Sequence, residues 1–255
     1  MVEEFVKEAL REDIGRGDLY ALVAKETPSC AKIVAKDSGV FAGAPYIKAI
    51  CALQNIELNL EIEDGDRVEC GCVLARLFGS NLKLLESERT ILNTLQHASG
   101  IATNTARFVE RLKGSGIKLL DTRKTRPLLR ALEKYAVRVG GGHNHRMGLD
   151  DCLMIKDTHL RTIGDLNEFV KKAREAIPLS AKIEIECENI ETAKIALECG
   201  ADIVMCDNME REDIVKVCEL RSSLSPHTLV EASGNITLAN LSSYKGLPID
   251  LKIGR

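Results

Sequence analysis

The sequence predicts two differently built regions, an α+β segment followed by an α/β segment on a parallel sheet. Two observations carry this expectation. Residues 30–80 hold short strand-like runs separated by turns, and from residue 117 onward apolar strands alternate with helical stretches. A long helical pattern over 84–112 joins them.

In chain order, residues 2–12 place Val2, Phe5, Val6, Ala9 and Leu10 at helical spacing, and Gly15-Arg16-Gly17-Asp18 ends that helix. Strand-like runs follow at Ala31–Ala35, Gly39–Phe41, Ile56–Ile62 and Val73–Leu77, with turns at Asp64-Gly65-Asp66 and Cys70-Gly71. A helix around 44–54 is expected to cover part of this small sheet. In the long helix, Leu85, Ile91, Leu92, Leu95, Ile101, Phe108 and Leu112 recur at intervals of three or four. Gly100 costs about 1 kcal/mol in such a helix, so a kink or close contact is expected there.

After Gly114-Ser115-Gly116, buried strands are expected at Ile117–Leu120, Leu153–Ile155, Ala181–Ile185, Asp202–Cys206 and Thr228–Glu231. Helices are expected near 127–136, 165–176, 189–199 and 209–222. This alternation predicts parallel strands with right-handed crossovers.

The 255 residues are 45% hydrophobic and 29% charged, as in an ordinary globular protein of one large domain or two. A net charge of −3 gives no global attraction for nucleic acid or anionic lipid. Residues 121–161 depart from that average, with nine Lys/Arg against five acids, a net of +4. Nine cysteines, scattered through apolar stretches, read as reduced and mostly core residues. The acidic start Met1-Val2-Glu3-Glu4-Phe5 is unlike a signal peptide, and no apolar run reaches the ~18 residues of a membrane span. The expectation is a cytoplasmic protein with no nucleic-acid or membrane partner.

In a parallel β/α barrel, function collects where the strands end. Those ends read Asp121-Thr122-Arg123-Lys124-Thr125-Arg126, Gly140–Arg146, Met154-Ile155-Lys156-Asp157, Glu184 with Glu186, Asp207-Asn208 and Glu231-Ala232-Ser233-Gly234-Asn235. Glu184 and Glu186 share one face of a strand that is otherwise apolar, which is costly unless they are paired or bound to something. Cations early, carboxylates in the middle and a Gly/Ser loop late suit an anionic substrate with a divalent cation. Ser233-Gly234-Asn235 is expected to offer backbone N–H groups ahead of a helix, as an anion site.

The same segments resemble the signatures of the quinolinate phosphoribosyltransferase family. They are Leu120–Thr125 with Pro127, Gly142–Arg146, Met154–Asp157, Glu184–Glu186, Asp207-Asn208, Glu231–Asn235, Glu88–Asn93 and Ser99–Ala102. The resemblance spans roughly residues 1–244. It implies an α+β N-terminal open sandwich with its long linking helix (1–112), an incomplete α/β (TIM-like) barrel carrying the active site (113–246), and a C-terminal segment (247–255) returning to the sandwich. It further implies transfer of phosphoribosyl from phosphoribosyl pyrophosphate to quinolinate with loss of CO2, giving nicotinate mononucleotide for NAD synthesis. Lys124, Lys156, Glu186 and Asp207 are the implied catalytic residues. Arg89, Thr122, Arg123, His145, Arg146, Met154, Ser233, Gly234 and Asn235 join them in holding substrate. Glu186 and Asp207 hold Mg²⁺, partly through substrate. The implied assembly is a homodimer or a multiple of it, with Arg89 contributed across the interface.

One departure concerns the C-terminus. Tyr244-Lys245-Gly246 runs almost directly into Pro248–Ile253, as though one barrel strand and a second phosphate loop were missing. Because Pro248 lacks an N–H, Ile249–Ile253 is expected to be an edge strand, leaving the barrel open and prone to self-association beside the Ser233 strand. The alternatives are a transport-linked paralogue acting on another anion, a catalytically weakened phosphate- or nucleotide-binding protein, and a Schiff-base lyase using Lys156. The last is disfavoured because Arg residues surround that lysine.

Overall fold

The computed structural model describes residues 2–253, with side chains described through Leu251. It divides into two compact units, Met1–Ala106 with Arg126–Gly141, and Arg107–Thr125 with Gly142–Arg255.

The first unit opens with helix α1 (Val2–Ile14), whose Val6 and Leu10 are buried as the helical spacing requires. Strands β1 (Pro28–Val34), β3 (Glu57–Leu60) and β5 (Val73–Ser80) form an antiparallel sheet in the order β1-β5-β3. A separate two-stranded ladder pairs β2 (Gly39–Val40) with β4 (Arg67–Val68). Sequence reading missed β4 because two residues between turns carry no period. Helix α2 (Ala44–Leu53) starts where Oδ1 of Asp64 accepts the N–H groups of Gly43 (2.8 Å) and Ala44 (3.1 Å), which have no partner within the helix. Phe41, Ile47, Ile50, Leu95 and Ala98 share one core.

Helix α3 (Asn81–Leu112) is continuous, and a Cβ at Gly100 would meet nothing within 4 Å. The expected kink or close contact is therefore absent there. The close approach lies instead at Gly140, which follows helix α4 (Arg130–Val139). A Cβ on Gly140 would come 2.7 Å from Cβ of Thr105 and 3.0 Å from Cα of Ala102. Leu132 and Ala136 pack into the first unit's core, so α4 belongs there, against the expectation that 113–246 all forms the barrel. Pro127 does not begin that helix: Leu128 has φ +66° and the helix starts at Arg130.

The second unit is built on six parallel strands: β6 (Lys118–Leu120), β7 (Cys152–Ile155), β8 (Lys182–Cys187), β9 (Ile203–Asp207), β10 (Leu229–Ser233) and β11 (Leu251–Ile253). Their order is β6-β11-β10-β9-β8-β7. Helices α5 (Asp157–Leu160), α6 (Leu166–Ala176), α7 (Ile190–Glu198) and α8 (Arg211–Leu224) fall between strands. Asp165 and Asn189 cap α6 and α7 by accepting N–H bonds from Glu168 (3.0 Å) and Thr192 (2.9 Å). One face of the strands packs into an apolar core with the helices through Ile183, Ile185, Val204, Cys206, Val230 and Ala232. The alternate positions, including Glu184, Glu186, Met205, Asp207, Glu231 and Ser233, take the other face. No pairing of β6 with β7 occurs among the described residues, so the barrel is incomplete, as expected.

Two expectations about the C-terminus are overturned. Leu251–Ile253 does not return to the sandwich and is not an edge strand; it sits between β10 and β6, with Glu231 opposite Leu251 and Leu251 opposite Lys118. Pro248 allows this because it precedes the strand, while Asp250 N–H bonds to Val230 O at 3.0 Å. The edge of β10 is therefore covered, and the reason to expect self-association there falls away. The sequence placed a missing strand and second phosphate loop between Gly246 and Pro248; the strand is the one that Leu251–Ile253 supplies. Among the described residues between Asn235 and β11 the one helical element is a 3₁₀ turn, Leu241–Tyr244, so the expected α-helix ahead of which an anion would sit is absent there.

Five of the nine cysteines (Cys51, Cys152, Cys187, Cys206, Cys218) are buried, all nine are free, and Cys30, Cys70 and Cys72 are exposed. Burial pushes the Cys51 and Cys218 thiols up to about 11 and that of Cys206 up to about 12. No described helix is long and apolar enough to cross a membrane.

Candidate functional site

The site is assembled at the C-terminal ends of the second unit's strands. Beyond β6, Asp121 organises its surroundings: Oδ1 accepts the His145 N–H at 2.9 Å and Oδ2 accepts Nδ2 of Asn144 at 2.5 Å. His143 N–H bonds to Leu119 O (2.8 Å), and its own carbonyl accepts the Asp121 N–H (3.1 Å). The Gly-rich segment is thus stitched to β6 as a short parallel bridge at Leu120. Thr122 Oγ1 accepts the Lys124 N–H at 2.9 Å, turning the loop tightly. Lys124 is exposed, whereas Nε of Arg123 is buried with no hydrogen-bond partner among the described residues. A buried guanidinium nitrogen left without an acceptor is costly, and a bound carboxylate or phosphate would satisfy it.

Arg146 donates from one guanidinium nitrogen to Cys152 O (2.9 Å) and from another to Met154 Sδ (3.4 Å), so β7 itself holds it. Lys156 follows β7, and its Nζ pairs with Oε2 of Glu186 at 2.6 Å. Asp207, at the end of β9, accepts Nδ2 of Asn208 at 2.9 Å. Asn208 and Asn235 both take left-handed backbone, with φ +52° and +43°, and Nδ2 of Asn235 reaches Oδ1 of Asn208 at 3.2 Å. Between them Gly234 has φ +96°, and a Cβ there would come 2.8 Å from Asn208 N. This crossing of two strand-end loops requires glycine.

Thr122, Arg123, Lys124, His145, Arg146, Met154, Lys156, Glu186, Asp207, Ser233, Gly234 and Asn235 all fall in the second unit. Arg89 belongs to the first unit and is exposed on α3. The His145 side chain departs from expectation. Only 8% exposed, it is turned toward Glu184 and Glu231. The expected site residues omit three partners: Asp121, Glu184 and Glu231. The rule that flagged Glu184, a charge on the inner face of a parallel strand, applies equally to Glu231 between Leu229 and Ser233. A cleft of about 680 Å³ in the first unit, lined among others by Lys48, Glu61 and Asp64, contains none of the expected site residues.

Divalent-cation chemistry fits the donors at the strand ends. Glu186 and Asp207 sit on neighbouring strands, and each commits one carboxylate oxygen to a neighbour, to Lys156 and Asn208 respectively. Two carboxylates do not make a cage for Mg²⁺, which takes substrate oxygens and water for the rest of its shell.

Residues 18–99 match the family described as quinolinate phosphoribosyl transferase, N-terminal domain, and residues 101–253 match its C-terminal domain. The chain is 45% identical over 242 residues to a probable nicotinate-nucleotide pyrophosphorylase [carboxylating] of Bacillus subtilis (strain 168), covering 94% of this chain and 83% of that protein. It is 38% identical over 244 residues to the nicotinate-nucleotide pyrophosphorylase [carboxylating] of Homo sapiens, covering 95% and 82%. The solved nicotinate-nucleotide pyrophosphorylase of Francisella tularensis superposes with a TM-score of 0.91 at 33% identity, covering 99% of this chain and 89% of that one. With both domain families matched in order along nearly the whole chain, the protein belongs to the quinolinate phosphoribosyl transferase family.

Proposed function

We propose that this chain transfers the phosphoribosyl group of phosphoribosyl pyrophosphate to quinolinate with decarboxylation, giving nicotinate mononucleotide, pyrophosphate and CO2. The observation that carries the reading is the polar lining of the strand ends, where Arg123, Arg146, Lys156, Glu186 and Asp207 follow or end strands whose opposite face is apolar and Lys156 pairs with Glu186.

Arg123, with its unsatisfied Nε, Lys124 and Arg146 supply cations for quinolinate's two carboxylates, and Thr122 and Met154 border them. Lys156, partnered by Glu186, is a cation placed for a phosphate or carboxylate, and Glu186 and Asp207 are oriented toward the ribose hydroxyls. Ser233, Gly234 and Asn235 form the turn for the 5-phosphate. Glu186 and Asp207 would hold Mg²⁺, which would supply charge neutralisation for the departing pyrophosphate. The pyridine nitrogen forms a bond to C1 of the ribose as the C1–pyrophosphate bond breaks; the quaternised ring then stabilises the electron pair left on the adjacent carbon when its carboxylate departs as CO2, and that carbon takes up a proton from solvent. The protein's part is positioning and electrostatic preorganisation, with no covalent nucleophile.

The active unit in this reading is a homodimer or a multiple of it, with Arg89 serving the neighbouring subunit's site. The weakened-binder alternative loses part of its motive, because Leu251–Ile253 fills the barrel-strand position expected to be empty. The direct test is substrate preference: quinolinate is turned over and nicotinate is not. The reverse preference would reject the reading.

A further inference from the structure

Glu184 and Glu231 are fully buried, and the transfer reading uses neither. A buried carboxyl group is costly unless something compensates it. Oε1 of Glu184 and both carboxyl oxygens of Glu231 lack a hydrogen-bond partner among the described residues. Between the two acids lies the imidazole of His145, whose Nε2 is 2.9 Å from Oε2 of Glu184 and 3.7 Å from Oε2 of Glu231 but makes no aligned hydrogen bond among the described residues.

The other ring nitrogen fixes what Nε2 carries. Nδ1 of His145 accepts the backbone N–H of Arg146 at 2.7 Å, so it bears no proton, and the ring's proton sits on Nε2. The three ligand-type atoms lie within 4.8 Å of one another, a spacing a divalent cation could span. A protonated Nε2 has no lone pair to give a metal, so the imidazole N–H faces the two acids and does not ligate a cation there. Burial, then the neighbouring Glu184, raises the Glu231 carboxyl well above the ordinary carboxylate range.

We propose that Glu184 and Glu231 are positioning residues, a buried acid pair that faces the inward Nε2 of His145 and by that close electrostatic contact fixes the His145–Arg146 segment at the mouth of the barrel. The ring acts as a post. Its N–H neighbours tie the segment to Asp121, and the next residue, Arg146, lays its guanidinium along β7. Removing the pair releases the post and with it the aim of Arg146.

The kinetic arm of the test rests on the phosphoribosyl-transfer reading; the spectroscopic arm does not, so the two can fail separately. ¹⁵N-imidazole NMR of the whole protein is expected to show His145 as the Nε2–H tautomer, in wild type and in Glu231→Gln. Glu231→Gln, which keeps the side chain's shape, is expected to hold the KM for quinolinate within about twofold. Glu231→Leu and Glu184→Leu are expected to raise that KM at least ~10-fold, with kcat and the KM for phosphoribosyl pyrophosphate within about threefold of wild type. An Nδ1–H tautomer in the wild type would overturn the proposal. So would stoichiometric divalent metal that survives dialysis and is lost in Glu231→Gln, or a Gln variant as impaired as the Leu variant. Should the leucine variants fail to fold, the tautomer and the Gln variant decide the matter alone.

Discussion

Nζ of Lys156 stands 2.6 Å from Oε2 of Glu186, a cross-strand ion pair between the ends of β7 and β8. The lysine side chain is 43% exposed and the glutamate 11%, so the pair has one face in solvent and one in the barrel. That asymmetry makes Lys156 the partner free to exchange Glu186 for a substrate anion.

Lys156→Ala is accordingly expected to reduce kcat/KM at least ~100-fold, equivalent to about 2.7 kcal/mol of transition-state stabilisation. Its effect on folding is expected to stay near 1–2 kcal/mol, because exposure screens the pair. Denaturant unfolding beside steady-state kinetics separates the two; equal losses would make the lysine structural.

Arg146→Ala is expected to weaken quinolinate binding ~10- to 150-fold, the loss of one charge-assisted bond of about 1.5–3 kcal/mol. Calorimetric titration measures it directly. Arg146→Lys is expected to recover only part, since one ammonium cannot reach Cys152 O and Met154 Sδ and a ligand in the same fork geometry. Unchanged affinity with a lowered melting temperature would assign Arg146 to the fold alone.

Gly234→Ala places a methyl group 2.8 Å from Asn208 N at φ +96°. The expected cost is about 1–3 kcal/mol, together with weaker binding of phosphoribosyl pyrophosphate. Gly200→Ala is the control: its φ is +77°, but the space around it is open, so only the backbone term of about 1 kcal/mol remains. Equal effects of the two substitutions would show that the crossing of the Asn208 and Gly234 loops is unimportant.

The raised Glu231 carboxyl has a consequence for stability. Its folded-state pKa lies above the unfolded value, so its contribution is fully present below the unfolded pKa, near 4.5, and declines as pH rises toward the folded value. Glu231→Gln removes this dependence. The melting temperature of Glu231→Gln minus that of wild type is expected to grow from pH 4.5 upward; a flat difference would mean Glu231 ionises freely in the fold.

Mixing inactive Arg89→Ala with inactive Lys156→Ala protein is expected to restore some activity through hybrid dimers. No recovery, with subunit exchange verified, would refute a site shared between subunits.

Much of this was legible in sequence because parallel strands buried on both faces leave a strong signal. Ile183, Ile185, Val204 and Val230 gave the strand positions, and Glu184 and Glu186 broke the pattern where a polar inner face was needed. The C-terminal strand was misread because Pro248 drew attention away from Leu247 and Ile249, both buried, and toward a resemblance with a later segment. Gly100 misled because periodicity shows which face a residue takes but not what stands opposite it. The tight contact belonged to Gly140, forty residues away in sequence. The burial of His145 could not be read from its neighbours, since it depends on two glutamates on strands β8 and β10.

The most direct measurement uses quinolinate carrying a ¹³C label in the carboxylate next to the ring nitrogen, incubated with phosphoribosyl pyrophosphate, Mg²⁺ and the whole protein. The account predicts labelled CO2, pyrophosphate and nicotinate mononucleotide in equal amounts, with none formed when phosphoribosyl pyrophosphate is omitted. Pyrophosphate release without labelled CO2, or turnover of nicotinate in place of quinolinate, would contradict it.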